Sequence, residues 1–199
     1  MNKSGAKVKP QIATAAYWQL FTNRNSRIRQ LNQLDDKMVA MTRYSVTDML
    51  ADHVVDSAKL KSERVFKVQI NDVNVRLQMM LNNEMDAMFV TEPQATLARL
   101  AKHKVLLDTR KMNWHMGVIA FREKPMKDVD RKRQYDVFVK AYNQACDSIN
   151  KNGIARYAHL MEKYCRTRSA VLDSIPKTKF PHAVGPREKD VLRAEKYIK

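Results

Sequence analysis

The chain has 199 residues, 44% of them hydrophobic, and a formal charge of +16. That is enough apolar material for one large or two small domains with a real core. No apolar run approaches the roughly 20 residues that a membrane-crossing helix needs, which excludes a transmembrane segment.

Residues 1–10 are basic and read as a loosely packed end, with no apolar h-region after them, so no signal peptide is expected in this chain. Residues 11–22 are apolar and aromatic, and Tyr17-Trp18-Gln19-Leu20-Phe21 predicts a buried strand. Asn23 to Ser26 is a turn, and Ile28 to Leu34 a short connection. Two copies of one arrangement follow, each a short buried strand that ends in a polar turn and opens a helix. The first is Met38-Val39-Ala40-Met41, then Thr42-Arg43-Tyr44-Ser45, then Val46, Met49, Leu50, His53 and Val54 on one helical face. The second is Phe66 to Ile70, then Asn71-Asp72, then Val73, Leu77, Met80 and Leu81. A third strand, Asp86 to Val90, ends in Thr91-Glu92-Pro93, and a helix runs from Pro93 to about Lys102. Lys104 to Leu107 and Met116 to Phe121 are further strands, joined by a linker over residues 111–115. Beyond Pro125 the pattern is helical. Val129 to Lys151 carries Tyr135, Phe138, Tyr142, Ala145 and Ile149 at helical spacing, and Gly153 stops it. Helices over 154–164, 169–175 and 187–198 complete the chain, with a proline-rich loop at 176–186.

Strands that alternate with helices predict an α/β fold with a parallel-dominated sheet, the strands at 38–42, 66–70 and 86–91 being neighbours. In such sheets ligands bind beyond the carboxyl ends of the strands. Thr42, Tyr44, Ser45, Asn71, Thr91 and Glu92 lie at or just past those ends and are expected to line one concave surface. Ser45 is a good N-cap with Asp48 three residues on, and Asp72 caps the second helix in the same way. Helix starts here point N–H groups and positive dipole ends outward, which suits an anionic or strongly polar ligand. Glu92 has two readings: a carboxylate stabilised by a helix start, or a contact to a donor group of the ligand.

Other chemistry is thin. The chain has no GxSxG, Walker or GxGxxG motif, and its four glycines leave no phosphate-cradling loop. The two cysteines, Cys146 and Cys165, fall in helical patterns and read as buried thiols, with a disulfide left open. No metal-ligand spacing occurs. Residues 46–110 hold nine basic and nine acidic side chains, so the positive excess lies outside them. It is mixed with acids along helical patterns, even at Asp130-Arg131-Lys132-Arg133, which is a solvated face rather than a nucleic-acid surface.

These motifs carry a resemblance. Met38 to Thr42 before a capped helix, and Arg76 to Ala87 before Thr91-Glu92-Pro93, resemble the start of the second lobe of periplasmic solute-binding proteins of ABC importers. Gly117 to Phe121 resembles the strand that returns to the first lobe, and Phe138 to Ala145 the helix after it. The resemblance covers about residues 11–175 and is strongest to the nitrate, sulfonate, taurine and thiamine-precursor branch. It implies a type 2 periplasmic-binding fold with residues 1–34 as a partial first lobe and hinge, 35–110 as the second lobe, and 111–199 as a helical return to the first lobe. It implies capture of a small polar or anionic organic solute between two lobes, without chemistry or cofactor, with hinges near residues 22–34 and 108–117. Trp18 would face the site from the other lobe. The implied partners are the solute and the importer's membrane subunits, and the implied location is the periplasm or a lipid anchor on the cell envelope.

The leading strands of the family's first lobe have no counterpart here, so residues 11–22 are expected to pair with another chain, as in a homodimer, or to be irregular. Two other classes share this fold. An effector-sensing domain of a transcription regulator would suit the basic charge, but no helix-turn-helix pattern is present. A thiamine-pyrimidine-synthase-like enzyme would need a clustered Cys/His motif and a cofactor lysine, and the chain shows neither.

Overall fold

A computed structural model describes residues 7–198, and the expectation for residues 1–6 lies outside them. The chain divides into two compact units. One is formed by residues 17–114, the other by residues 1–16 with 115–199.

The unit of residues 17–114 is built on a five-stranded sheet. Its strands are β2 (Gln19–Thr22), β3 (Lys37–Met41), β4 (Val65–Gln69), β5 (Ala87–Val90) and β6 (Lys104–Asp108), in the order β4-β3-β5-β2-β6. Strand β3 lies between β4 and β5 and is parallel to both, as the sequence predicts. Strand β2 runs antiparallel between β5 and β6. The connections β3 to β4 and β4 to β5 pass through α1 (Val46–Ser57) and α2 (Val73–Leu81). The helix after Pro93 is α3 (Gln94–Leu100).

Sequence and packing agree in this unit. β2 and β5 are buried at every position, which is why they read as continuous apolar runs rather than alternating ones. Phe21, Ala40, Leu77, Met80, Met85, Met88, Val90, Ala95 and Ala98 form one core cluster. Each fully buried large side chain there contributes roughly 1.5–3 kcal/mol relative to exposure. Six of the twelve methionines, Met41, Met49, Met80, Met85, Met88 and Met116, are buried, so packing is their role. One buried polar residue ties the elements together. Asn23 is 5% exposed and its Nδ2 donates to the carbonyls of Met80 and Met85, at 3.2 and 3.3 Å. Its own N–H donates to the Asp86 carbonyl, so the end of β2 clamps the turn between α2 and β5.

The second unit holds a two-stranded antiparallel sheet, β1 (Val8–Ala13) with β7 (Val118–Arg122). Phe121 of β7 packs edge-on against Tyr135 and Phe138 of α4 (Val129–Asn152). Gly153, with φ of 78°, ends α4 where the sequence predicts. The expected helix over 154–164 divides into a 3-10 turn and α5 (Ala158–Cys165). The last helix is α6 (Glu188–Ile198). Its Asp190, 3% exposed, accepts from Arg187 Nε at 2.6 Å and Arg193 Nη1 at 2.7 Å. Burial alone would raise its carboxyl. The bonds and charge of Arg187, the His115 N–H and Arg193 outweigh that and hold it below the usual carboxylate range. Gly117 is required for space. A Cβ there would meet Thr14 Oγ1 at 2.3 Å and Ala16 Cβ at 2.7 Å. Both cysteines are free thiols, and Cys146 is buried.

The structure corrects three expectations at the start of the chain. Residues 8–10 are strand, not a loose end. The apolar run 11–22 is two strands in different sheets, not one. Hydrophobicity alone cannot show the break, because apolar residues run through both halves and only the hydrogen bonds from Ala13 and Thr14 to Val184 and Gly117 mark where the first ends. Since β1 pairs with β7, and β2 with β5 and β6, the run is satisfied within the chain, which removes the reason for expecting a second copy there. The boundary between the units therefore differs from 34/35 and 110/111. β2 completes the larger sheet, and the chain passes between units at residues 16–17 and 114–115.

Candidate functional site

The parallel strands β3, β4, β5 and β6 end on one edge of the larger sheet, and antiparallel β2 begins there. Gln19 pairs with Val90 on one side and Asp108 on the other, which fixes this alignment. The edge therefore carries, from β4 across to β6, Asn71, Thr42, Thr91, Trp18 and Thr109. Trp18 reaches it from within the same unit, not from an opposing lobe. Its N–H donates to Thr109 Oγ1 and its carbonyl accepts from the Thr109 N–H, both at 3.0 Å.

Thr42 and Ser45 are joined directly. Ser45 caps α1, its Oγ accepting from the Thr47 N–H at 3.1 Å and donating to the Thr42 carbonyl at 2.6 Å. The Thr42 N–H donates to Thr47 Oγ1 at 2.9 Å. Asp48 does not close a capping box on Ser45 but reaches one residue further back, accepting from the Tyr44 N–H at 2.9 Å. That bond holds Tyr44 with φ of 57° and leaves its side chain 94% exposed. On the sheet, Asp48 also meets Lys67 Nζ at 3.2 Å, and Lys67 bridges to Asp52. Asn71 is exposed, its Oδ1 accepting from Gln69 at 3.4 Å. Asp72 caps α2 through the Asn74 N–H at 2.7 Å.

Both carboxylate oxygens of Glu92 are engaged within the unit. Its Oε2 accepts from the N–H and hydroxyl of Thr96, at 3.0 and 2.7 Å, and its Oε1 from Arg99 Nη2 at 2.5 Å. Arg99 Nη1 continues to Gln19 Oε1 at 2.8 Å, and Gln19 Nε2 to Asp108 Oδ2 at 3.0 Å. Of its two readings, the geometry favours the helix-start carboxylate. Thr91 is half-buried and its carbonyl accepts from Ala95.

One residue was not foreseen as part of the edge. Arg76, in the first turn of α2, is 5% exposed. Its Nε donates to the Ile70 carbonyl at 2.8 Å, Nη1 to the Phe89 carbonyl at 2.5 Å and Nη2 to Thr42 Oγ1 at 2.8 Å. Three strand ends converge on it. Burial lowers its pKa, opposed by the charge of Asp72. The signal was in the sequence: Arg76 stands three residues after Val73 and four before Met80, a cation on the inward stripe of the helix.

A separate pocket of about 390 Å³, lined by Ser26, Arg27, Ile28, Gln33, Lys37 and Asp86, lies at the opposite edge, where β3 and β5 begin. Among the described residues no cluster of three His, Cys, Asp or Glu side chains could hold a metal.

No protein-family model and no curated protein sequence matches the chain. Solved structures do. The periplasmic aliphatic sulphonate binding protein SsuA of Escherichia coli is 17% identical, with a TM-score of 0.75 over 99% of this chain and 66% of that one. The alkanesulfonate-binding protein SsuA of Xanthomonas axonopodis pv. citri, bound to MOPS, is 15% identical, with a TM-score of 0.74 over 98% and 68%. The desulfurization enzyme DSZB is 11% identical, with a TM-score of 0.61 over 96% and 70%. This chain thus spans about two thirds of the length of these proteins. At such identities the likeness establishes the fold, which is α/β and periplasmic-binding-protein-like.

Proposed function

We propose that this chain is a solute-binding component of an ABC-type importer that captures a small polar or anionic organic solute without chemistry. The observation that carries the reading is the polar edge of the larger sheet. Four parallel strands end there, and Thr42, Ser45, Asn71, Thr91 and Trp18 are placed on it beside the starts of two helices. The fold adds weight, because two of the proteins that share it bind sulfonates by their names. The importer's membrane subunits would be the protein partners and the periplasm or cell envelope the place of action. Hydroxyls, amides and helix N–H groups bind polar solutes, and Trp18 supplies an apolar wall of the kind small-molecule sites use.

The same fold also carries an enzyme, DSZB, so fold alone does not separate capture from catalysis. In support of capture, four acids at or near the edge are engaged within the unit, Glu92 with Arg99, Asp48 with Lys67, Asp108 with Gln19 and Asp72 with the Asn74 N–H. The test is a thermal-shift screen of the chain against alkanesulfonates, carboxylates, amino acids and neutral sugars, with mass spectrometry of the compound recovered. A ligand held at a hundred times its Kd should add about 2.7 kcal/mol of stability. Stabilisation by a compound recovered unchanged is the expected result. No stabilisation by any class sinks the reading, and a chemically altered compound replaces it with the enzyme reading.

A further inference from the structure

We propose that Arg76 and Thr42 form the anion-selecting element of this edge, Arg76 fixing and polarising the Thr42 hydroxyl so that its proton serves an oxyanion of the solute. This rests on the solute-capture reading and names the charge class of its ligand.

A guanidinium keeps its charge at any working pH. All three hydrogen bonds of the Arg76 guanidinium go to neutral oxygens, two carbonyls and the Thr42 hydroxyl. Removing such a charge from water is costly, and an apolar side chain of similar volume would suit the flank of Leu77 and Met80 without that cost. Asp72 is the acid near it, but its carboxylate is exposed and accepts from the Asn74 and Val75 N–H groups. The positive charge of Arg76 therefore stays beneath the edge, where the N-terminus of the twelve-residue helix α1 also presents its positive end. Glu92, the carboxylate just past the end of β5, is neutralised by Arg99 and does not cancel it.

The bond to Thr42 converts this charge into a directed donor. Thr42 is held on three sides: its N–H by Thr47, its carbonyl by Ser45 and Thr47, its Oγ1 by Arg76. A hydroxyl oxygen that accepts from a guanidinium still has its own proton to give. Among the described residues no acceptor takes that proton, and Thr42 is only half-buried. Accepting from a cation makes an O–H a stronger donor. An incoming oxyanion would complete a chain from guanidinium to hydroxyl to ligand. A cationic group would meet a fixed positive charge, and a neutral acceptor would gain less from it.

The test compares methanesulfonate with dimethyl sulfone, which has nearly the same shape and no charge, by NMR titration of the chain. The unaltered protein is expected to prefer methanesulfonate by about ten- to a hundredfold, the worth of one charge-assisted hydrogen bond. Thr42→Val should abolish the preference and Thr42→Ser should keep it. Arg76→Gln should abolish it as well, and the Thr42→Val/Arg76→Gln double variant should lose no more than either single one. Thr42→Val, at a half-buried position, keeps the test decisive if Arg76→Gln does not fold. A preference unchanged in Thr42→Val, or missing in the unaltered protein, overturns the proposal. Binding of other solutes without that preference leaves solute capture standing, and binding of none overturns both.

Discussion

Arg99 Nη2 stands 2.5 Å from Glu92 Oε1, and this pair closes the end of β5 onto α3. Both oxygens of Glu92 are engaged within the unit, by Arg99 and Thr96. Glu92→Gln is therefore expected to leave solute affinity within about fivefold, the equivalent of roughly 1 kcal/mol. The pair is partly exposed, with side chains 30% and 23% accessible, so its loss should cost only about 1 kcal/mol or less of stability. Ser45→Ala should behave differently, losing about 1 kcal/mol through the missing cap and weakening solute binding as the Thr42 carbonyl loses the nearer of its two hydroxyl partners. Calorimetry on both variants decides this. A large affinity loss confined to Glu92→Gln would return that carboxylate to the ligand.

The sequence foretold the strand-helix alternation because apolar periodicity and capping residues coincide there. Val39, Ala40 and Met41 are a buried run, Ser45 and Asp72 open the helices, and each strand ends in a polar turn. It did not foretell that β2 is the antiparallel strand between β5 and β6. Leu20 and Phe21 are apolar on both faces, and nothing in their spacing names a partner or a direction. The polar edge of the sheet was legible in the same measure. Parallel strand ends located Thr42, Ser45, Asn71 and Thr91, while the engagement of Glu92 depends on Arg99, seven residues away, and the role of Arg76 on three separate strand ends.

Asn23→Ala tests the clamp between β2 and the α2–β5 turn. The variant deprives the Met80 and Met85 carbonyls of their side-chain donor in a buried setting. It also removes the acceptor of the Asn25 N–H. An unsatisfied buried group costs about 1–3 kcal/mol, so a loss at the upper part of that range is expected in urea unfolding. A loss below about 0.5 kcal/mol, the scale of an ordinary surface substitution, would show that water replaces the side chain.

Lys67→Met tests the ion cluster between β4 and α1. Asp48 has a side chain only 7% accessible and would keep the Tyr44 N–H but lose its cation. Removing one partner of a buried pair costs about 3–5 kcal/mol. With Lys67 itself 17% accessible, a value near the lower end is expected. The double variant Lys67→Met/Asp48→Asn should recover part of the loss, because the buried carboxylate is neutralised and the carboxylate that loses its lysine, Asp52, is the more exposed of the two. Failure of the double variant to recover stability would assign the cost to packing of the lysine stem instead.

His103 makes the stability of the larger unit depend on pH. His103 is 5% exposed, and its Nδ1 accepts from the Arg24 N–H at 3.0 Å. Burial lowers its pKa below the ordinary 6.5, the Arg24 charge adds to this, and a backbone hydrogen bond at Thr22 opposes it. The folded state therefore favours the neutral ring more than the unfolded chain does. Stability from this group is complete above the unfolded value of about 6.5 and is lost as pH falls from there toward the lower folded value. The slope for one proton cannot exceed about 1.4 kcal/mol per pH unit. Both tryptophans, Trp18 and Trp114, lie in the same unit as His103, so their fluorescence follows this unit alone. Urea midpoints measured by tryptophan fluorescence should fall between pH 7 and pH 5 in the unaltered protein. His103→Gln should flatten that fall, since no titrating ring remains. An equal fall in the variant would place the titrating group elsewhere in the unit.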